Sequence, residues 1–261
     1  MPEYQSRILR KKFASDQHIL GGWISTTDPV ITRVLLNNTF DFLLIDLEHA
    51  PINLETLQHI LLLFQGQQAC PIVRIPWHNR EWVKWALDCG AEGILFPNVT
   101  TVEEARQAVA LCKYPPVGIR GYFPRAAYNF KKDSTDYLSD VNQRILVWIQ
   151  IEDIQAVSRL DEIFSVEGID GVLIGPADLS LSMDLLGQKD HPQVRQAVQT
   201  IIDSGKKHHI PIGYAADDTT EHVLEVLNQG CRFATVGFDW LLMEQAASAR
   251  LSEIRQGLKE N

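Results

Sequence analysis

No stretch of this 261-residue chain approaches the roughly 18 consecutive apolar residues that a membrane helix needs, so no membrane partner is expected. Basic residues are in the minority, 24 Lys and Arg against 33 Asp and Glu, for a formal net charge of -9. A nucleic-acid surface needs clustered cations, and that class of partner is excluded as well. The four cysteines, Cys70, Cys89, Cys112 and Cys231, form no C-x-x-C pair, and each lies in or beside an apolar segment. They read as buried free thiols rather than as a zinc site. Arg7, Arg10, Lys11 and Lys12 are not followed by the apolar core of a signal peptide, so a cytoplasmic protein is expected. Linkers and low-complexity segments are missing too, and residues 1–261 are read as a single domain.

What the chain does have is a series of short apolar runs, each followed by turn chemistry and a helix-like stretch. They are Ile19–Ser25, Phe40–Asp46, Pro71–Ile75, Gly93–Pro97, Ile145–Ile151, Gly171–Gly175, Pro211–Ala215 and Phe233–Gly237. Most are continuously hydrophobic, as parallel strands covered on both faces must be. Asp28-Pro29 reads as an N-cap with proline at the first helical position, and Thr101 with Glu104 as a capping box. Gly90 and Gly230 stand where a helix wants a left-handed cap. Eight strand–helix units predict an α/β fold of the (β/α)8 TIM-barrel type. A doubly wound sheet is second, since it needs a glycine-rich phosphate loop and Gly21-Gly22-Trp23 lies inside a strand. One long irregular stretch, about 115–140, carries Tyr122, Phe123, Arg125, Tyr128, Lys131 and Lys132, and reads as a lid or binding element.

Barrel enzymes work at the C-terminal ends of their strands. Those ends carry Asp46, Glu48 and His49, then Arg74, then Gln150 and Glu152, then Asp178. Carboxylates closing apolar runs are costly unless paired or bound to a cation. Glu152 and Asp178, from consecutive strands, suit an octahedral divalent cation that keeps positions for water and substrate oxygens. Their alternatives are helix caps or salt bridges. His49 follows a strand among carboxylates and is placed to act as a general base. His78 and the remaining histidines read as structural or surface groups. Arg74 has the shape to hold a carboxylate or an oxyanion, with an ion pair to Asp46 or Glu48 as the plainer alternative. Residues Gly175 to Ser180 offer a weak backbone nest for an anion. None of the strand ends carries a lysine, so a Schiff-base route lacks its nucleophile.

Taken in order, these segments resemble the HpcH/HpaI aldolase family of metal-dependent, class II pyruvate aldolases. The segments are Phe42 to Pro51, Pro71 to Arg74, Tyr114 to Gly121, Gln150 to Glu152 and Gly171 to Ser180, and the likeness runs from Gly21 to about Met243. The resemblance implies a divalent metal, Mg²⁺, Mn²⁺ or Co²⁺, held by Glu152 and Asp178. It implies a catalytic His49, an oxyanion-stabilising Arg74 and a substrate-contacting Gln150, with the backbone of Ala177 and Asp178 holding the pyruvate carboxylate. Asp88 matches an aspartate that tunes the histidine of a neighbouring subunit. The family also implies a homohexamer, a trimer of dimers, with the C-terminal helix, residues 239–258, exchanged between subunits. Leu47, Asp153 and the loop from Gly121 to Lys132 depart from the family pattern, and they bear on the aldehyde rather than on the pyruvate half.

The reaction so implied is formation or cleavage of a 4-hydroxy-2-oxo acid, giving pyruvate or hydroxypyruvate and an aldehyde. A decarboxylase or a carbon–carbon bond-forming synthase on the same enolate is the nearest alternative. Phosphoryl transfer by a pyruvate-kinase-like barrel lacks its phosphate cradle. An inactive barrel serving as a binding protein would have no use for Glu152, Asp178, His49 and Arg74 together.

Overall fold

The computed structural model describes residues 4–15, 17–130, 135–216 and 219–259. Eight parallel strands close into a barrel in sequence order. They are β1 (Ile19–Ile24), β2 (Phe42–Asp46), β3 (Cys70–Arg74), β4 (Gly93–Phe96), β5 (Leu146–Ile151), β6 (Gly171–Ile174), β7 (Ile212–Tyr214) and β8 (Phe233–Phe238). Every expected run is a strand, with ends moved by a residue or two. Continuous hydrophobicity has the expected cause: β2, β3 and β5 are buried at every position, one face toward the barrel axis and the other under helices.

The helix signals also hold. Asp28 accepts from the Val30 N–H at 2.7 Å ahead of Pro29. Thr101 and Glu104 form a complete capping box, and Gly90 and Gly230 take φ of 111° and 118°. Such N-caps gather at the C-terminal rim, because each helix starts where a strand has just ended.

Two cores result from the period of two along the strands. Phe42, Leu44, Ile72, Leu95, Leu146, Trp148, Leu173 and Phe233 fill the barrel interior. Their neighbours, such as Leu43, Ile45, Val73, Ile149 and Ile151, pack outward against the helices. The N-terminal helix Gln5–Phe13 seals the bottom. Its Leu9 joins the interior, and Phe13 sets its ring edgewise on Trp148 and Phe233, with centroids 6.0 and 5.6 Å away. With that end plugged, the C-terminal rim is the accessible mouth.

Cys70, Cys112 and Cys231 are buried free thiols as expected, while Cys89 is half-buried. Among the described residues no helix is long and apolar enough to cross a membrane. The expected lid is placed differently. The connection from the helix Val102–Cys112 to β5 begins and ends at the bottom of the barrel, and its described residues, 113–130 and 135–145, lie away from the rim of their own chain. The segment contains a 3-10 turn, Ala126–Tyr128, and two short helices, Thr135–Leu138 and Val141–Arg144. Lys131 and Lys132 lie outside the described residues.

Candidate active site

The strand alternation that fills the interior with apolar side chains ends in a polar layer. On β2 the inward row is Phe42, Leu44, Asp46; on β3 it is Cys70, Ile72, Arg74; on β5 it is Leu146, Trp148, Gln150, then Glu152. Asp46 and Arg74 are register partners. The Arg74 Nε and Nη2 donate to the two Asp46 oxygens at 3.0 and 2.8 Å, and both residues are buried. Arg74 Nε also lies 3.3 Å from Glu48 Oε2. The plainer reading of Arg74 as an ion-pair partner therefore holds, and the pair fixes the guanidinium at the mouth.

Asp46 does more than neutralise Arg74. Its Oδ1 accepts the backbone N–H groups of Glu48 at 3.0 Å and His49 at 3.2 Å, so one carboxylate orders the turn that carries both. His49 is exposed, with Nε2 3.6 Å from Glu48 Oε2. Burial raises the Glu48 carboxyl above its ordinary value, against the pull of Arg74 and His49.

Glu152 is the most perturbed group at the mouth. It is 6% exposed, and burial, then the charges of Asp178 and Glu48, push its pKa up to about 7. The Asn98 N–H donates to Oε1 at 2.7 Å, and Gln150 Nε2 donates to Oε2. Gln150 Oε1 is buried with no hydrogen-bond partner among the described residues. Space for this pair comes from Gly175, where a Cβ would fall 2.5 Å from Glu152 Oε2 and 2.6 Å from Gln150 Nε2. Ala177 and Asp178 are exposed in the first turn of the helix Pro176–Ser182, whose N–H groups have no carbonyl a turn earlier to receive them.

Asp178 and Glu48 crowd the buried Glu152 carboxylate beside an unpartnered amide oxygen, an all-oxygen donor set of the kind that hard divalent cations take. Among the described residues no three His, Cys, Asp or Glu side chains gather closely enough to cage a metal. Two carboxylates such as Glu152 and Asp178 would suit Mg²⁺ or Mn²⁺ only with water and substrate oxygens completing the coordination.

Asp88 is not brought to this mouth. It ends the helix Arg80–Asp88 at the barrel bottom, half-buried, and accepts from Arg120 Nη2 at 3.0 Å. Burial raises its carboxyl above the ordinary value. Read from the sequence without the family likeness it would be an exposed helix end, and the buried Arg120 accounts for the difference. The unusual Asp153 is an N-cap, accepting from the Gln155 N–H at 2.7 Å. Leu47 is buried and faces the outer core.

Aromatic support for Arg74 was not expected from sequence. The guanidinium lies 4.4 Å from the Trp23 ring, which stacks on Phe238 at 5.5 Å. One residue later Asp239 accepts from the Ser25 and Thr26 hydroxyls at 2.7 Å each, tying the root of the C-terminal helix to the rim after β1. The signal was present in the inward position of Trp23, but a tryptophan in an apolar run reads first as core.

A family model described as HpcH/HpaI aldolase/citrate lyase matches residues 20–246. The chain is similar to the 5-keto-4-deoxy-D-glucarate aldolase of Escherichia coli, 36% identical over 240 residues, which span 92% of this chain and 93% of the relative. The crystal structure of an HpcH/HpaI aldolase/citrate lyase family protein from Burkholderia cenocepacia superposes with a TM-score of 0.90 at 31% identity, covering 95% of this chain and 99% of that one. The structure of citrate synthase SbnG gives 0.85 at 29% identity, over 96% and 98% of the two chains.

Proposed function

This chain belongs to the HpcH/HpaI aldolase/citrate lyase family and is an aldolase-type lyase, and we propose that it cleaves and forms 4-hydroxy-2-oxo acids with a divalent cation as cofactor. The products of cleavage are pyruvate and an aldehyde, and a keto-deoxy sugar acid of the glucarate type is the proposed substrate class. One observation carries the reading: buried Glu152, crowded by Asp178 and Glu48, shares the mouth with the Asp46-clamped Arg74.

Glu152 and Asp178 would hold Mg²⁺, Mn²⁺ or Co²⁺. When bound, the cation supplies positive charge beside the carboxylate and keto oxygens of the 2-oxo acid. Arg74 donates a hydrogen bond to the keto oxygen, where negative charge gathers as the C3–C4 bond breaks. The Ala177 and Asp178 N–H groups orient the substrate carboxylate, and Gln150 orients the keto acid beside Glu152. His49 takes the proton from the C4 hydroxyl, the bonding electron pair passes to C3, and the aldehyde leaves. Return of a proton to C3 of the enolate gives pyruvate. Asp88 of a neighbouring subunit is proposed to raise the basicity of His49, since within one chain the two stand at opposite ends of the barrel.

That last role requires an oligomer, proposed as a trimer of dimers with exchanged C-terminal helices. Support comes from the helix Asp239–Gly257, where Trp240, Met243, Leu251 and Ile254 are all at least half exposed and only Asp239 is buried. A synthase that joins a 2-oxo acid to the same enolate is the second reading, favoured by the likeness to a citrate synthase. The test is release of pyruvate from a 2-keto-3-deoxy sugar acid, followed with lactate dehydrogenase, before and after EDTA. Pyruvate release abolished by EDTA and restored by Mn²⁺ supports the aldolase. No release, with carbon–carbon bond formation from oxaloacetate instead, supports the synthase.

A further inference from the structure

The mouth of the barrel holds Glu152 through a backbone N–H in a loop of uncommon conformation. The loop after β4 runs Pro97-Asn98-Val99-Thr100-Thr101, and Asn98 has φ of 46°. Most side chains avoid that left-handed region, and asparagine is one of the few that enter it. With this turn the Asn98 N–H meets Glu152 Oε1 at 2.7 Å while the next N–H, of Val99, reaches the Gln150 carbonyl at 3.1 Å. An ordinary extended residue at 98 would turn the following chain elsewhere, so that the Glu152 and Gln150 bonds could not both form in this loop.

The loop is pinned on both sides of Asn98. On the C-terminal side, Glu104 Oε2 accepts from the Thr100 N–H at 2.7 Å, the Thr100 hydroxyl at 3.0 Å and the Thr101 N–H at 3.0 Å. On the N-terminal side, the Pro97 carbonyl meets His78 Nε2, from the loop after β3. A carbonyl oxygen only accepts, so Nε2 carries the proton. The His78 ring is held in turn by an edge contact to Phe96, with centroids 5.7 Å apart.

We propose that Asn98 and His78 are positioning residues for the cation site: His78 fixes the Pro97 carbonyl, Asn98 makes the left-handed turn, and its N–H sets the direction in which Glu152 presents its oxygens. The inference rests on the proposed cation site and names the support of its more buried ligand. Partners outside the coordination sphere orient metal ligands in this way, and their loss costs affinity rather than fold.

The test is Mn²⁺ affinity, measured by electron paramagnetic resonance or calorimetry without substrate, on the full-length protein. Asn98→Gly keeps both the left-handed turn and the N–H, and should bind Mn²⁺ within about twofold of the parent. Asn98→Ala opposes the turn and should bind about tenfold more weakly. His78→Ala should weaken binding in the same direction, and His78→Gln, whose amide can still donate to Pro97, should recover most of it. Because His78 lies on a different loop, its variants decide the matter even if Asn98→Ala fails to fold. Parent-like affinity in both alanine variants overturns this inference alone. Loss in Asn98→Gly equal to that in Asn98→Ala overturns the backbone assignment. A parent that binds no Mn²⁺ overturns the inference together with the proposed function.

Discussion

Asp46 and Arg74 face each other as register partners on β2 and β3, and the carboxylate of the first grips the guanidinium of the second through hydrogen bonds of 3.0 and 2.8 Å. The same carboxylate takes the N–H groups of Glu48 and His49. The direction of the arginine and the turn that carries the histidine therefore depend on one side chain.

Replacing Arg74 by lysine keeps the charge but loses the planar fork that meets both Asp46 oxygens. Turnover should fall by about 10²- to 10³-fold, the usual cost of one oxyanion donor. Asp46→Ala leaves a buried guanidinium without its main counter-charge and should lower stability by about 3–5 kcal/mol. Urea denaturation checks the second figure, and steady-state pyruvate release checks the first.

Glu152 makes the cation-free protein sensitive to pH. Its folded pKa of about 7 lies above the ordinary 4.5, so between those values the folded state binds more protons than the unfolded one. Stability should fall as pH rises through this window, by on the order of 3 kcal/mol if this group acts alone. Saturating Mn²⁺ should cancel the loss by neutralising the ionised carboxylate, and Glu152→Gln should flatten the slope. Melting temperatures of EDTA-treated protein at pH 5 and pH 8 measure it.

Gly175 leaves room where β6 passes the Glu152 and Gln150 side chains. In Gly175→Ala the new methyl would fall 2.5 Å from Glu152 Oε2. Mn²⁺ affinity should drop at least about tenfold, as for other disturbances around a metal ligand. Calorimetric titration with Mn²⁺ reads the change.

The barrel and most of its mouth were legible in the sequence for one reason. Along β2, β3 and β5 every second residue points inward, and Asp46, Arg74, Gln150 and Glu152 fall at the ends of otherwise apolar rows. Other features gave no such signal. Asn98 acts through its backbone N–H, which every residue but proline carries. Trp23 supports Arg74 from a position that looks like core. The stretch of about 115–140 reads as a lid or binding element because its length is visible in the sequence and the barrel end that its described residues occupy is not, and the pair that its Arg120 forms with Asp88 is hidden for the same reason.

Asp88 and His49 stand at opposite ends of one barrel, so their proposed partnership spans two subunits. His49→Ala and Asp88→Ala should each be poorly active, with His49→Ala down by about 10²- to 10⁴-fold. Mixed, dissociated and reassembled, the two variants should regain activity, because roughly a quarter of the sites then draw both residues from intact copies. A mixture no more active than its components would place Asp88 outside the site.

The most direct measurement is anomalous scattering from crystals soaked in Mn²⁺. One strong peak is expected at the barrel mouth, within bonding distance of Glu152 and Asp178, and it should disappear in Glu152→Gln. No peak between those two side chains, together with undiminished pyruvate release after exhaustive chelation, would contradict it.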